Sequence, residues 1–328
     1  MAGPLEGVRV LDFTSRLPGP LATALMAQAG ASVHKIEPPD GDTLNRSTPL
    51  WPEAPAFYRA LNGGKERTTL DLRAALDRER LIPLLDSADV LVEGFRPGAM
   101  ARLGLDYATV SATRPRLVYC SISGYGQHGP RRLRAGHDLS YLAETGVLSL
   151  LTAADGTPVV PGALIADVAA GSLCAVKDVA LALFARERTG RGAHVDCSMA
   201  DNLALFAWWG ASNGSASGRW PRPAGDLFTG ASPRYRCYRT RDGRWLAVAA
   251  IEQQFWERLC DALAIPRGLR DDARDPAATA AAVASGVAER DAAHWRAVFA
   301  GVDACCAVVE DVETACSLAR NSASQDSE

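Results

Sequence analysis

No CxxC pair occurs among the eight cysteines (120, 174, 197, 237, 260, 305, 306, 316), and none stands at a zinc-like spacing from a histidine. No metal site is expected; the cysteines read as reduced, mostly buried thiols, with the adjacent Cys305 and Cys306 as small core residues at a strand end. Charge of one sign is also missing. The formal net charge is −3, with Arg and Asp evenly scattered, so there is no basic stripe to neutralise a phosphate polymer and nucleic acid is not an expected partner. No uninterrupted apolar run approaches the roughly 20 residues that span a bilayer, and the N-terminus lacks a basic region followed by an apolar one. A membrane is not an expected partner, and the expected compartment is cytoplasmic. Glycine is scarce where a dinucleotide would need it: the first turn is Ser-Arg-Leu-Pro-Gly-Pro at 15–20, without GxGxxG, which argues against a nicotinamide site using Glu37 as ribose acid.

What is present suits an α/β protein of two domains. The chain has 328 residues, 48% hydrophobic and 22% charged. Buried strands at 8–13, 32–37, 90–93 and 117–121 alternate with helical pattern at 21–28, 72–87 and 105–112, which predicts a Rossmann-like large domain with an open parallel sheet. A long apolar helix over 167–188 ends in Arg-Thr-Gly-Arg-Gly and leads into a strand at 194–198. Gly, Ser, Ala and Pro dominate 210–233, which reads as a linker. A hairpin of 235–239 and 245–249, with helices at 254–264 and 292–299, predicts a smaller α+β domain. The expected boundaries are 1–200 for the large domain, 201–230 for the linker, 231–315 for the small domain and 316–328 for a frayed tail.

Three stretches carry chemistry: Gly-His-Asp at 136–138, Ile-Ala-Asp-Val at 165–168 and Ala-Ile-Glu at 250–252. They supply an imidazole and two carboxylates, the groups that remove and return a carbon-bound proton. His137 precedes a helical stretch at 139–150, whose first N–H groups and dipole could stabilise an enolate oxygen. Each residue also has a plain structural alternative: a satisfied histidine, a helix N-cap for Asp167, and a first-turn helix acid for Glu252. The turn Glu93-Gly94-Phe95-Arg96-Pro97-Gly98 follows a strand at the carboxyl edge of the sheet, where an aromatic beside an arginine suits an adenine ring and a phosphate. Its alternative is a strand-to-helix turn with a solvated Arg96.

These stretches, together with Gly-Val-Arg-Val-Leu-Asp-Phe at 7–13, Val-Leu-Val-Glu-Gly-Phe-Arg-Pro-Gly at 90–98 and Arg-Thr-Gly-Arg-Gly at 188–192, stand in the order of a known family. From residue 5 to about 309 the chain resembles the family III CoA-transferase (CaiB/BaiF) fold, and within it the α-methylacyl-CoA racemases. The resemblance implies an interlocked homodimer, an acyl-CoA substrate, and no cofactor beyond the CoA that belongs to that substrate. It assigns His137 and Asp167 as the acid–base pair and Glu252 as the carboxylate that orients the imidazole. It assigns Lys65, Glu93, Gly94, Phe95, Arg96, Arg102, Gly136, Asp138 and Tyr141 to CoA binding. Unperturbed imidazole and carboxyl groups titrate near roughly 6.5 and 3.9. An Asp sharing protons with a His must therefore have its pKa raised by burial or coupling.

The transferases of the family use the matching Asp as a nucleophile and usually carry a Gly-Gly-Gly-Gly loop over the thioester; here the corresponding stretch is Asp-Leu-Phe-Thr-Gly-Ala-Ser-Pro at 226–233. They also generally lack the His and Glu at the positions of His137 and Glu252. Lys-Ile-Glu-Pro-Pro-Asp-Gly-Asp at 35–42 follows the broad family pattern, with Pro38 where some racemases carry an arginine. About twenty residues follow Cys306, fewer than the family's return to the large domain, so a CoA-binding variant without turnover is a further reading. Leu142, Phe206, Trp208 and Trp209 are candidates for an acyl pocket, with a core or dimer interface as their alternative.

Overall fold

In a computed structural model, residues 2–45 and 52–317 are described. Most of the tail expected at 316–328 lies outside them. The chain forms two compact units, residues 1–151 with 159–215, and residues 152–158 with 216–328.

The first unit is a six-stranded, all-parallel sheet. In chain order it comprises β1 (Arg9–Asp12), α1 (Pro18–Gln28), β2 (Ser32–Glu37), α2 (Ala54–Asn62), β3 (Glu66–Thr69), α3 (Ala75–Ser87), β4 (Val90–Glu93), α4 (Ala99–Arg102), α5 (Tyr107–Thr113), β5 (Val118–Ser123), α6 (Asp138–Glu144), α7 (Cys174–Thr189), β6 (His194–Ser198), α8 (Met199–Asn202) and α9 (Trp208–Ser217). The strand order is β3-β2-β1-β4-β5-β6, the doubly wound arrangement. Its central strands β4 and β5 are buried on both faces, which explains the unbroken apolar run Val90-Leu91-Val92. Val10, Val90, Val92, Val118 and Cys120 join one core with Ala22 and Met26 of α1 and Ala175 and Val179 of α7. Their neighbours Leu11, Leu91 and Tyr119 point the other way, onto Leu81 and Leu85 of α3. Each large apolar side chain so buried contributes roughly 1.5–3 kcal/mol.

Two elements depart from the sequence reading. The strand β3 is Glu-Arg-Thr-Thr, polar and mostly exposed, because it is an edge strand held by backbone pairing to β2. The small residues read as a linker begin instead as the helix α9; Gly210 and Gly214, one turn apart, are buried along it, so the glycines permit close packing and not looseness. Continuous winding from Ile165 to Thr189 makes one helix long and apolar enough to cross a bilayer, mean hydropathy 1.8. Here Ala175, Val179 and Leu183 pack it on the sheet. Its exit needs glycine: a Cβ on Gly192 would lie 2.0 Å from the Leu117 carbonyl oxygen.

The second unit carries an antiparallel sheet of β7 (Tyr235–Arg239), β8 (Trp245–Ala249) and β9 (Cys306–Val308), with α10 (Gln253–Ala262), α11 (Pro276–Ala288) and α12 (Ala292–Gly301). Its core is Leu246, Val248, Trp256, Leu259, Val283, Val287 and Trp295. Of the paired cysteines, Cys306 opens β9 half-buried, whereas Cys305 is exposed with φ 51° and is not a core residue. Four of the eight cysteines are buried: Cys120, Cys174, Cys197 and Cys260.

Candidate active site

The strand order reverses between β1 and β4, and ligands of open α/β sheets bind outside the carboxyl ends of strands at such a point. Two clefts lie there. One, of about 370 Å³, is lined by Thr14, Gly94, Phe95, Arg96, His137, Tyr141 and Asp167 among others. The other, of about 500 Å³, shares Thr14, Ser15 and Phe95 with it and extends over Glu37, Pro38, Pro39, Asp71 and Arg73. Phe95, 38% exposed, therefore faces both.

His137 is the N-cap of α6, in extended backbone conformation (φ −136°, ψ 173°), with its N–H donating to Ser140 Oγ at 2.9 Å. Its imidazole is exposed to the cleft. The loop before it depends on Gly136, where a Cβ would sit 2.4 Å from the Tyr141 ring. Tyr141 is buried and its hydroxyl donates to the Gly136 carbonyl at 2.8 Å, so its phenol braces the loop that presents His137. Burial, with the Asp167 charge nearby, pushes that phenol up to about 12.

Asp167 is not a helix N-cap. It is the third residue of a π-helical segment, Ile165–Leu173, that runs directly into α7. The wide winding leaves carbonyls short of their usual partners, and side chains supply them: Ser172 Oγ donates to Asp167 O at 3.1 Å and Asn202 Nδ2 to Ala170 O at 2.8 Å. The Asp167 carboxyl is pushed up to about 6, chiefly by burial and then by the charge of Asp138, with His137 pulling the other way. That brings it into the range in which imidazoles exchange protons.

Several residues assigned to CoA contact have other tasks. Lys65 is buried: its Nζ donates to Asp12 Oδ2 at 3.1 Å, Pro20 O at 2.9 Å, Thr23 Oγ1 at 2.8 Å and Asn62 Oδ1 at 2.9 Å, so it ties strand to helix and is withdrawn from any ligand. Asp138 is buried and its Oδ1 accepts the Asp167 N–H at 2.9 Å. Glu93 is buried; its carboxylate accepts the Phe95 N–H at 2.8 Å and a bond from Ser121, which fixes the turn, and burial raises its pKa. Gly94, Phe95, Arg96 and Gly136 line the smaller cleft, whereas Arg102 is exposed at the end of α4 and lines neither. Leu142 is fully buried in the core and is no pocket residue. Glu252 belongs to the second unit, where it is exposed at the N-cap of α10 without a side-chain cap bond.

Sequence reasoning passed over Thr14, Ser15 and Arg16, which line the smaller cleft from the loop after β1, and Arg132 and Arg134, which line it from the segment before His137. The first three could have been found from position alone, since they follow the first strand of a parallel sheet.

A doubly wound sheet with an imidazole and a raised carboxyl in the cleft at its switch point places acid–base groups in the ligand-binding crevice of an α/β protein. The chain belongs to CoA-transferase family III, whose model matches residues 5–327. It is 34% identical over 304 residues to acetyl-CoA:oxalate CoA-transferase of Acetobacter aceti, covering 89% of this chain and 77% of that one. To human alpha-methylacyl-CoA racemase it is 34% identical over 310 residues, covering 92% and 76%. The crystal structure of a CAIB/BAIF family protein from Brucella suis superposes with a TM-score of 0.81 at 29% identity, covering 95% and 85%.

Proposed function

We propose that this protein interconverts the epimers of 2-methylacyl-CoA thioesters by proton transfer between two bases, His137 and Asp167. The observation that carries the reading is the Asp167 carboxyl, raised to about 6 in a cleft it shares with an exposed imidazole. One base takes the α-proton, the electron pair moves onto the thioester oxygen as an enolate, and the conjugate acid of the other base returns a proton to the opposite face. On this reading the first-turn N–H groups of α6, which follow His137, stabilise the enolate. The larger cleft and Phe95 suit the nucleotide and chain of CoA, with Arg73 in that cleft and Arg96 in the smaller one as the cations offered to its phosphates. No cofactor is required beyond substrate CoA. A homodimer fits the exposed apolar side chains Leu181, Phe184, Leu205 and Trp208.

CoA transfer through an Asp167 thioester is the second reading, favoured by relatives such as the Acetobacter transferase at the same identity as the racemase. Against it, residues Leu227–Thr229 form a tight 3-10 turn closed by the Asp226 carboxylate and Thr229 hydroxyl, unlike a glycine-rich loop. Incubation of a single-epimer 2-methylacyl-CoA with the protein in deuterated water, followed by NMR, tests the proposal. Epimerisation with α-deuterium uptake and no acyl acceptor supports it; CoA movement between carboxylates without uptake sinks it.

A further inference from the structure

The stretch at 35–42 places opposite charges where water does not reach. Lys35 and Asp42 have side chains 0% and 1% exposed, and Lys35 Nζ lies 3.2 Å from Asp42 Oδ2. The same ammonium donates to the Thr14 carbonyl at 2.6 Å. The other Asp42 oxygen, Oδ1, accepts the N–H groups of Leu44 at 2.8 Å and Arg16 at 3.4 Å. Thr14 is gripped from behind as well, for Asp12 Oδ1 accepts its N–H at 2.8 Å and its hydroxyl at 2.5 Å. Arg16 holds φ 68°, a left-handed conformation a non-glycine residue keeps only when its surroundings impose it.

Apolar side chains of similar volume would fill this space without desolvating two charges, so the pair is not needed for packing as such. What it adds is direction. Thr14 belongs to the loop after β1 and Asp42 to the loop after β2, and both loops line the larger cleft. Lys35 on β2 is bonded to both. We infer that Lys35 and Asp42 are positioning residues: they lock the Thr14–Arg16 loop to the 38–43 loop and so fix the lining of the CoA cleft that the two loops share. The ligand named rests on the function proposed above; the lock itself does not.

Removing one partner strands the other buried charge and endangers folding, so the test uses two paired variants, Lys35→Met/Asp42→Leu and Lys35→Met/Asp42→Asn. Melting temperature, amide hydrogen exchange at Arg16 and Leu44, and the Kd for free CoA are measured on the whole chain. Lys35→Met/Asp42→Leu should still unfold in one cooperative transition, exchange about tenfold or more faster at those two amides than the wild type, an acceleration beyond any at Val92, and bind CoA about tenfold more weakly. Lys35→Met/Asp42→Asn, which keeps an acceptor for both N–H groups, should show a smaller change in each. Unchanged exchange at Arg16 and Leu44 overturns the lock. Faster exchange with undiminished CoA affinity overturns the positioning role. A wild type that binds no CoA, with exchange accelerated in the variant, sinks the CoA reading while the lock stands.

Discussion

Asp138 Oδ1 accepts the backbone N–H of Asp167 at 2.9 Å, so the residue after the candidate catalytic imidazole holds the candidate catalytic carboxylate from 29 positions away. The contact fixes the π-helical segment against the start of α6 and places a second negative charge beside Asp167, where it raises that carboxyl. Neither effect needs Asp138 to touch substrate.

Asp138→Asn separates the two effects. The amide oxygen can still accept the Asp167 N–H, but the charge is gone, so the Asp167 pKa falls from about 6 toward its ordinary value. The acid limb of the α-proton exchange rate, which reports protonation of Asp167, should move to lower pH. A pH profile between pH 4 and 8 checks it. Asp138→Ala should lose the tether as well and slow exchange at every pH.

Asp167→Asn should raise stability at neutral pH while abolishing epimerisation. The folded carboxyl titrates near 6 against an ordinary 3.8, so the native state binds more protons than the unfolded chain between those values. Stability thus falls as pH rises through that window and stays reduced above it. A neutral amide avoids this loss, by up to about 3 kcal/mol. Thermal melts of both proteins at pH 5 and pH 7.5 should show the variant's advantage growing with pH.

His137→Ala should reduce α-proton exchange by a factor of about 10² or more, with CoA affinity altered less than about threefold. Glu252→Gln, at the exposed N-cap of α10, should reduce exchange less than His137→Ala does. A loss confined to CoA affinity in His137→Ala contradicts the proton-carrier role.

Gly136→Ala forces a methyl to 2.4 Å from the Tyr141 ring, so the loop or the phenol must move. Destabilisation of about 1–3 kcal/mol and slower exchange are expected. The pair Gly136→Ala/Tyr141→Phe should recover little, since the clash is with the ring and not the hydroxyl. Denaturant melts measure the first effect and turnover the second.

The parallel strands were legible because burial on both faces gives them continuous apolar sequence, as in Val90-Leu91-Val92. β3 and the three-residue β9 were not, since backbone pairing to a neighbour holds them and leaves little trace in side-chain pattern. α9 was hidden by its glycines. At the site, His137 and Asp167 were readable from motif and neighbours, and the structure brings them to one cleft. The π-winding was not readable, because an apolar run looks the same at either helical period. The burial of Lys65 was not readable, because its partners Asp12, Thr23 and Asn62 come together only in the fold.

The central claim is that Asp167 carries protons and never forms a covalent bond to acyl or CoA. A covalent thioester at Asp167 would be intercepted by hydroxylamine, and two-base transfer forms none. The protein is incubated with 2-methylacyl-CoA and hydroxylamine in deuterated water, and the peptide of residues 162–173 is weighed by mass spectrometry while α-deuterium is followed by NMR. An unmodified peptide alongside deuterium uptake into both epimers is the predicted result; turnover-dependent hydroxamate at Asp167 would contradict it.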